Sequence, residues 1–597
     1  MTTEEDLSES RIADIVRALE LIHNPSSTNE LRREALTFVE SQKESKSAAR
    51  NGFVLASREQ NDPLVRYFGL TLLDHVLRHT SFTGSAQVVE LRELVLKLAE
   101  SIRPEDPAYL RNKIPQLWAE IAKRSWGLDW IEMDQALAQF WGASLVHKEL
   151  VLSILETLSE DIFYREDTVS SLRGTDLNRA LVEIFTPLSV FEEVYPKRDN
   201  HVALRYGSDG WLPRICEFLQ YCIENLQNSK QAKDAALKAL ATLKSVLLWA
   251  IPKAIISSNC VPAIARAFTC SDEQVLLAAV EALHSLYSRS NMDMESFQPL
   301  VHLMYETECL DIMQKLYQWS IVGPDAIDET RYLISKKLSE MLSYIAGFLE
   351  EKGFSLESAH GMNLPFFFHL TISVIQHQSL MVSIPVLHVW SKLLASERIG
   401  NTDLVTGLIP SLLEICTQRL VRWEALPTDS DDPTVAFLND DIDTVPERHA
   451  FVGNYRRYCS SIIETIVQKR PQEAIPHILS GVDTNLNNLY NGVEPFNGVF
   501  GSGNSENSAL TFKTAKSFSK SSIPLMRADT QFAVVEATLK GYNKWVSAHG
   551  KMPQQDVSTI SFTTWHPTDK QQEQKRSDLE GILEKWAFSL MQRSFEV

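Results

Sequence analysis

At 597 residues the chain is longer than one hydrophobic core organises, which leaves several domains or a repeat array whose core grows along one axis. Apolar residues make up 44% and charged residues 23%, as in well-packed soluble proteins, while 23 Gly and 24 Pro are too few for a turn-rich sandwich or barrel. The formal net charge of −19 repels nucleic acid on average and suits a basic partner, yet leaves room for a local basic groove.

Amphipathic helices begin almost at once. Ile12, Ile15, Val16, Leu19 and Ile22 mark the first, closed by Pro25, and Leu31, Ala35, Phe38 and Val39 the second. A shorter helix around Phe53 precedes a long one over Asp62–His79, and Leu91–Ala99 precedes another over Asp106–Arg124. In the latter, Leu110, Ile114, Leu117, Trp118 and Ile121 form a single apolar stripe. Asp106 is predicted as its N-cap, with Pro107 in the first turn and Lys123 and Arg124 at the negative end of the dipole. Gly127 ends it, and Trp126 and Trp130 are expected to begin the next helix. The two long helices align without a gap at an offset of 44 residues, the distance from Asp62 to Asp106. Leu70, Leu73 and Leu77 then fall on Ile114, Leu117 and Ile121. A period in the forties carried by helices is the signature of HEAT or armadillo solenoids.

Further helices follow at Met133–Trp141 and around Leu150, Ile154 and Leu158. After an irregular polar stretch, Tyr195–Gly210, the period returns: Leu237 and Leu240 lie 43 residues before Val280 and Leu283. The pairs Ala235-Ala236 and Ala278-Ala279 let neighbouring helices approach closely. Met341–Leu349, Phe366–Ile375, Ile384–Leu394 and Leu408–Cys416 continue the series, and no stretch alternates like a strand. The predicted fold is an all-α HEAT-repeat solenoid, a superhelical arch of antiparallel pairs with an inner and an outer helix in each. Two segments interrupt it. Pro427–Arg448 carries Asp440, Asp441 and Asp443 in a helix-poor context and reads as an acidic loop; Asn491–Ser522 is rich in Gly and Ser and reads as a mobile one. On the last helix Leu583, Trp586, Ala587 and Leu590 form an apolar stripe that expects a further partner helix.

Catalytic grammar is missing. There is no HExxH, P-loop, GxGxxG or GxSxG, and His75, His79 and His147 stand without further ligands at metal spacing. No enzymatic activity, cofactor or metal is expected. The acidic run at Asp440–Asp443 lacks the Gly and terminal Glu of an EF-hand and reads as a solvated loop or a dock for a basic protein. Seven cysteines without a CxxC pair read as buried free thiols in a reducing compartment. The acidic start MTTEEDLSES is no signal peptide, and no apolar run is long enough to span a bilayer.

Val65–Arg78 (VRYFGLTLLDHVLR) resembles the second inner helix of β-karyopherins. Tyr109–Met133 (YLRNKIPQLWAEIAKRSWGLDWIEM) resembles the exportin hallmark, an inner helix ending in Lys-Arg and followed by two tryptophans spaced by four. Gly127 replaces the usual Pro after the first tryptophan and still breaks the helix. Leu158–Phe163 and Asp167–Leu181 continue the pattern, and Phe437–Arg457 (FLNDDIDTVPERHAFVGNYRR) resembles the acidic loop and paired arginines of the exportin-5 branch. The chain is similar to the N-terminal half of such receptors.

The resemblance implies a nuclear transport receptor that grips Ran-GTP on its inner helices, binds protein or RNA cargo and nucleoporin FG repeats, and shuttles between nucleus and cytoplasm. It implies Ran-dependent export of structured RNA (tRNA or a hairpin) or phosphorylated proteins by a monomer without membrane insertion. An α-solenoid interaction scaffold or an import karyopherin is the alternative. Residues 1–104 would be importin-β-like repeats that bind Ran, 105–265 exportin-1-like repeats and 266–426 middle repeats. They would be followed by an acidic loop at 427–448, helices at 449–490, a Gly/Ser-rich loop at 491–525 and further helices at 526–597. Opposite the apolar stripes the inner helices show Arg66, Tyr67, Thr71, Asp74 and Arg78, then Arg111, Asn112, Lys113, Gln116, Glu120 and Lys123. Each alone is a solvated helix face; together they form the candidate Ran surface, with Asp440, Asp441 and Asp443 as a second candidate contact.

Overall fold

The apolar stripes pair off as the repeat reading requires. The computed structural model describes residues 4–79, 85–164, 168–195, 202–290, 292–351, 354, 361–426, 428, 430–489, 523–549 and 570–596. Among these the regular structure is helical, with no strand. The chain divides into two compact units, Met1–Leu300 and Val301–Val597.

In the first unit one row of helices runs Pro63–His79, Ala108–Ser125, Leu145–Phe163, Lys230–Val246 and Glu273–Tyr287, each packed on the next. These are the expected inner members. Each also packs on an outer partner: Ala48–Ser57, Ser85–Glu100, Met133–Ala143, Trp211–Glu224 and Cys260–Ala267 in the same order. Leu70, Leu73 and Leu77 are buried, as are Ile114, Leu117 and Ile121, so the positions equated by the 44-residue offset occupy equivalent core sites. Burying a leucine of this kind contributes about 1.5–3 kcal/mol, and repeating it in every hairpin extends a core that no single hairpin could sustain. The 43-residue echo holds too, since Lys230–Val246 packs directly on Glu273–Tyr287.

Local chemistry sets the starts and the spacing. Ser144, Ser229 and Asp272 accept from backbone N–H groups at their helix N-termini, as N-caps do. At the crossing of Ala48–Ser57 and Pro63–His79, a Cβ on Gly52 would lie 2.7 Å from the Gly69 carbonyl oxygen. Only glycine permits that approach.

The second unit repeats the plan. Glu329–Phe348, Leu380–Ala395, Val445–Lys469 and Ile523–His549 form one row, backed by Thr307–Ser320, Leu364–Ile375, Ile409–Gln418 and Pro471–Asn487. The last helix, Lys570–Glu596, packs on Pro471–Asn487, and the Trp586 indole donates to Asp483 at 3.1 Å.

Three local expectations change. Asp106 does not cap its helix: the cap position falls to Pro107, and the Asp106 carboxylate instead takes the Arg103 N–H and the Arg66 guanidinium. Trp126 and Trp130 do not open a helix but bridge to each other around Gly127, whose φ of +77° suits glycine, and the next helix starts at Met133. The acidic segment is not helix-poor, since Pro433–Asp441 is a helix capped by Asp432 and Val445–Lys469 follows it at once. The Gly/Ser-rich stretch 491–522 lies outside the described residues.

The cysteines are free thiols, five of them buried and Cys270 and Cys309 half-buried. Cys216 and Cys260 sit 3.2 Å apart, and their mutual hydrogen bond and burial push the Cys260 thiol well up, away from the reactive thiolate. Among the described residues no helix is long and apolar enough to cross a membrane.

Candidate partner-binding surface

The candidate residues do converge, but mostly on one another. Asp74 accepts from Arg78 at 2.9 Å on its own helix and from Lys113 at 2.9 Å on the neighbour. Burial would raise the Asp74 pKa, but Lys113 and Arg78 outweigh it and hold the carboxyl below its usual range. Arg78 reaches on to Glu120 at 3.1 Å, and Glu120 also holds Lys123 at 2.9 Å and Arg124 at 2.6 Å. Lys123 then crosses to Asp161 of Leu145–Phe163 at 2.9 Å. Arg66 pairs with Asp106 at 2.5 Å, and Arg111 with Glu149 at 3.0 Å.

The same device continues along the row. Lys238 pairs with Glu156, Lys233 with Asp272 and Lys244 with Glu281. Each helix-to-helix step of the row therefore carries a cation facing a carboxylate. Sequence reasoning chose Arg66, Arg78, Arg111, Lys113 and Lys123 with Asp74 and Glu120, and missed Lys233, Lys238 and Lys244 as well as Glu149, Glu156, Asp161, Asp272 and Glu281. A signal for them exists: the partners lie 39 residues apart for Lys113 and Asp74, 38 for Lys123 and Asp161, and 37 for Lys244 and Glu281, close to one repeat.

This sorts the candidate Ran residues. Glu120 and Lys123 are 3% and 1% exposed, so they are buried charges and cannot offer themselves to a partner. Arg66, Asp74, Arg111 and Lys113 are half-buried and engaged with the next helix. Asn112, Gln116 and Arg78 are exposed, and Tyr67 and Thr71 are half-buried. Tyr67 meets Tyr109 edge-on across the repeat boundary, with ring centroids 5.5 Å apart. Tyr109 and Leu64 are themselves exposed, giving this end of the two helices an apolar edge.

The acidic residues separate likewise. Asp440 and Asp443 are exposed. The Asp441 side chain is only 2% exposed; it accepts from the Tyr332 hydroxyl at 2.7 Å and from the Lys336 ammonium. Tyr332 shares a further hydrogen bond with the Ser379 hydroxyl at 2.6 Å. Asp441 thus pins its own helix onto the row, leaving Asp440 and Asp443 to face outward. Among the described residues no group of three or more His, Cys, Asp or Glu is placed to hold a metal ion.

Stacked helical hairpins of this kind define a helical-repeat protein. Residues 329–562 match the Exportin-5 family, and residues 107–195 match the Exportin 1-like protein family. Protein MSN5 of Saccharomyces cerevisiae is 25% identical over 591 residues, covering 96% of this chain and 44% of its own length. Exportin-5 of Homo sapiens is 22% identical over 471 residues, covering 77% of this chain and 37% of its own. A crystal structure of Kap121p matches 92% of this chain and 50% of its own at 14% identity, with a TM-score of 0.43. The chain is similar to exportin-related β-karyopherins, and it spans less than half the length of the curated relatives it matches.

Proposed function

We propose that the chain is part of a nuclear transport receptor that binds Ran-GTP together with export cargo, either structured RNA or phosphorylated protein, and shuttles through FG-repeat pores as a monomer. The observation that carries this reading is the pair of family matches, one of which takes in the whole Ala108–Ser125 helix, with its exposed Asn112 and Gln116. Ran is assigned to the exposed Arg78, Asn112 and Gln116 and the half-buried Tyr67 and Thr71, within the first repeats (1–104) and the helix that follows. The buried ladder beneath supplies rigidity, so that GTP hydrolysis on Ran drives release and the receptor itself needs no catalytic group.

The test is capture of purified Ran, loaded with GTP or GDP, by the immobilised chain. Preferential capture of the GTP form is expected, weakened about tenfold by Tyr67→Ala with Gln116→Ala, two substitutions that leave every ion pair intact. Equal capture of both nucleotide forms sinks the reading and leaves a protein scaffold.

A further inference from the structure

A groove of about 380 Å³ lies between three successive row helices of the first unit, Leu145–Phe163, Lys230–Val246 and Glu273–Tyr287. The middle helix and the turn after it supply half-buried Ala241 and Leu248, two turns apart, and Glu273–Tyr287 adds half-buried Ala278. Carboxylates stand on both flanking helices: Glu156 and Glu160 on one, Glu281 on the other. The exposed Tyr164 lines the groove towards the C-terminal end of Leu145–Phe163.

The protein does not complete this lining by itself. Ser245 lines the groove and is only 7% exposed, yet its hydroxyl makes no hydrogen bond among the described residues. Ser153 and Ser285, on the two flanking helices, instead donate to the carbonyl four residues earlier. Lys238 donates to Oε2 of Glu156 at 3.1 Å and Lys244 to Oε2 of Glu281 at 2.9 Å. Oε1 of each carboxylate has no hydrogen-bond partner among the described residues, and a carboxylate accepts at both oxygens. Acceptors therefore remain on both walls, with a buried hydroxyl between them. The two lysines already seated there show the donor these carboxylates take, an ammonium on an alkyl stem.

We propose that this groove binds a linear aliphatic polyamine, with ammonium groups on the free oxygens of Glu156 and Glu281 and methylenes along Ala241, Leu248 and Ala278. Row helices pack at about 8–10 Å, so the two flanking axes stand about 16–20 Å apart. A ligand that reaches both walls is accordingly long, of the spermidine or spermine class rather than a short diamine. Tyr164 offers its ring face to a further ammonium. A protein segment fits less well, because its backbone carbonyls would face carboxylates and alkyl carbons with few donors in reach. The carboxylates repel a nucleic-acid backbone, and they are not placed to hold a metal ion. Binding across three helices would stiffen this step of the array, since each repeat is held only by its neighbours. The inference is independent of Ran and of cargo, and is measured without either.

The experiment is calorimetric titration of the full chain with spermidine at about 0.15 M salt, where diffuse attraction to a polyanion is screened. Saturable binding is expected, about tenfold tighter than for 1,4-diaminobutane, together with slower amide exchange in the three helices. Glu156→Gln with Glu281→Gln should weaken spermidine binding about tenfold or more. Glu59→Gln, which removes an exposed carboxylate paired with Arg103, should leave it unchanged. Because Glu156 and Glu281 also belong to the ladder, Ala278→Phe provides a second test: it fills the groove, touches no ion pair and should abolish binding. No saturable binding, or binding that survives Ala278→Phe, overturns the proposal. Equal protection by magnesium chloride at matched charge overturns it too and leaves only counterion screening. A peptide of alternating glycine and lysine that binds this groove more tightly than spermidine overturns it as well and assigns the groove to a basic protein segment.

Discussion

Replacing Lys123 by methionine keeps the aliphatic stem and removes one charge from the middle of the ladder. Its side chain is 2% exposed, and its ammonium lies 2.9 Å from both Glu120 and Asp161. Glu120 would keep Arg78 at 3.1 Å and Arg124 at 2.6 Å, whereas Asp161 would lose the Lys123 ammonium. Removing one partner of a buried pair costs about 3–5 kcal/mol, because the remaining charge stays desolvated; the two guanidinium groups left on Glu120 put this case at the lower end, ~3 kcal/mol. Repeat arrays open locally, so the readout is amide exchange in Ala108–Ser125 and Leu145–Phe163, expected to accelerate roughly a hundredfold, alongside a urea transition. Adding Asp161→Asn neutralises the carboxylate that faced Lys123 and should recover most of the loss. A cost below about 1 kcal/mol, or a double variant no better than the single, would show that these carboxylates reach water and that the ladder does not hold the row together.

Acid should weaken the second unit through His377. Its Nδ1 accepts the Ser379 N–H at 2.9 Å, its Nε2 finds no hydrogen-bond partner among the described residues, and burial followed by Arg419 lowers its pKa from 6.5 to about 4. The folded state resists the proton that the unfolded chain accepts below pH 6.5. The stabilisation is therefore present above that pH and is lost as pH falls towards 4, by roughly 2 kcal/mol at pH 5. His377→Asn, which keeps an acceptor for Ser379, should flatten that part of the urea-midpoint profile; an unchanged profile would put the acid sensitivity elsewhere. Asp441→Asn should destabilise the docking of Pro433–Asp441 by about 1–3 kcal/mol, through the lost charge on Lys336 and Tyr332, whereas Asp440→Asn and Asp443→Asn should leave the melting curve unchanged. A melting curve equally insensitive to all three would return Asp441 to the surface.

Much of the architecture was legible without coordinates. Leu70, Leu73 and Leu77 predict Ile114, Leu117 and Ile121 because each repeat solves the same packing problem with the same 3.6-residue stripe, and Gly127 stops the helix wherever it is packed. The resemblance to exportins was legible for the same reason, being carried by helices whose spacing is fixed by the repeat.

The faces beside the stripe were not legible. A hydrophobic stripe records contact with the outer helix alone, yet a helix inside the row also touches a neighbour on each side. Glu120 and Lys123 read as solvent-facing because they are charged and off the stripe; they are buried because those lateral contacts close over them, with Arg173 donating to the Lys123 carbonyl at 3.0 Å from beyond the next helix. Asp441 left its loop for the same cause, finding Lys336 and Tyr332 more than a hundred residues earlier. The sequence by itself determined the helices, their period and their apolar sides. Only the tertiary structure decided which charges serve one another and which are left for a partner, because that depends on groups one repeat away or farther, beyond the reach of any local pattern.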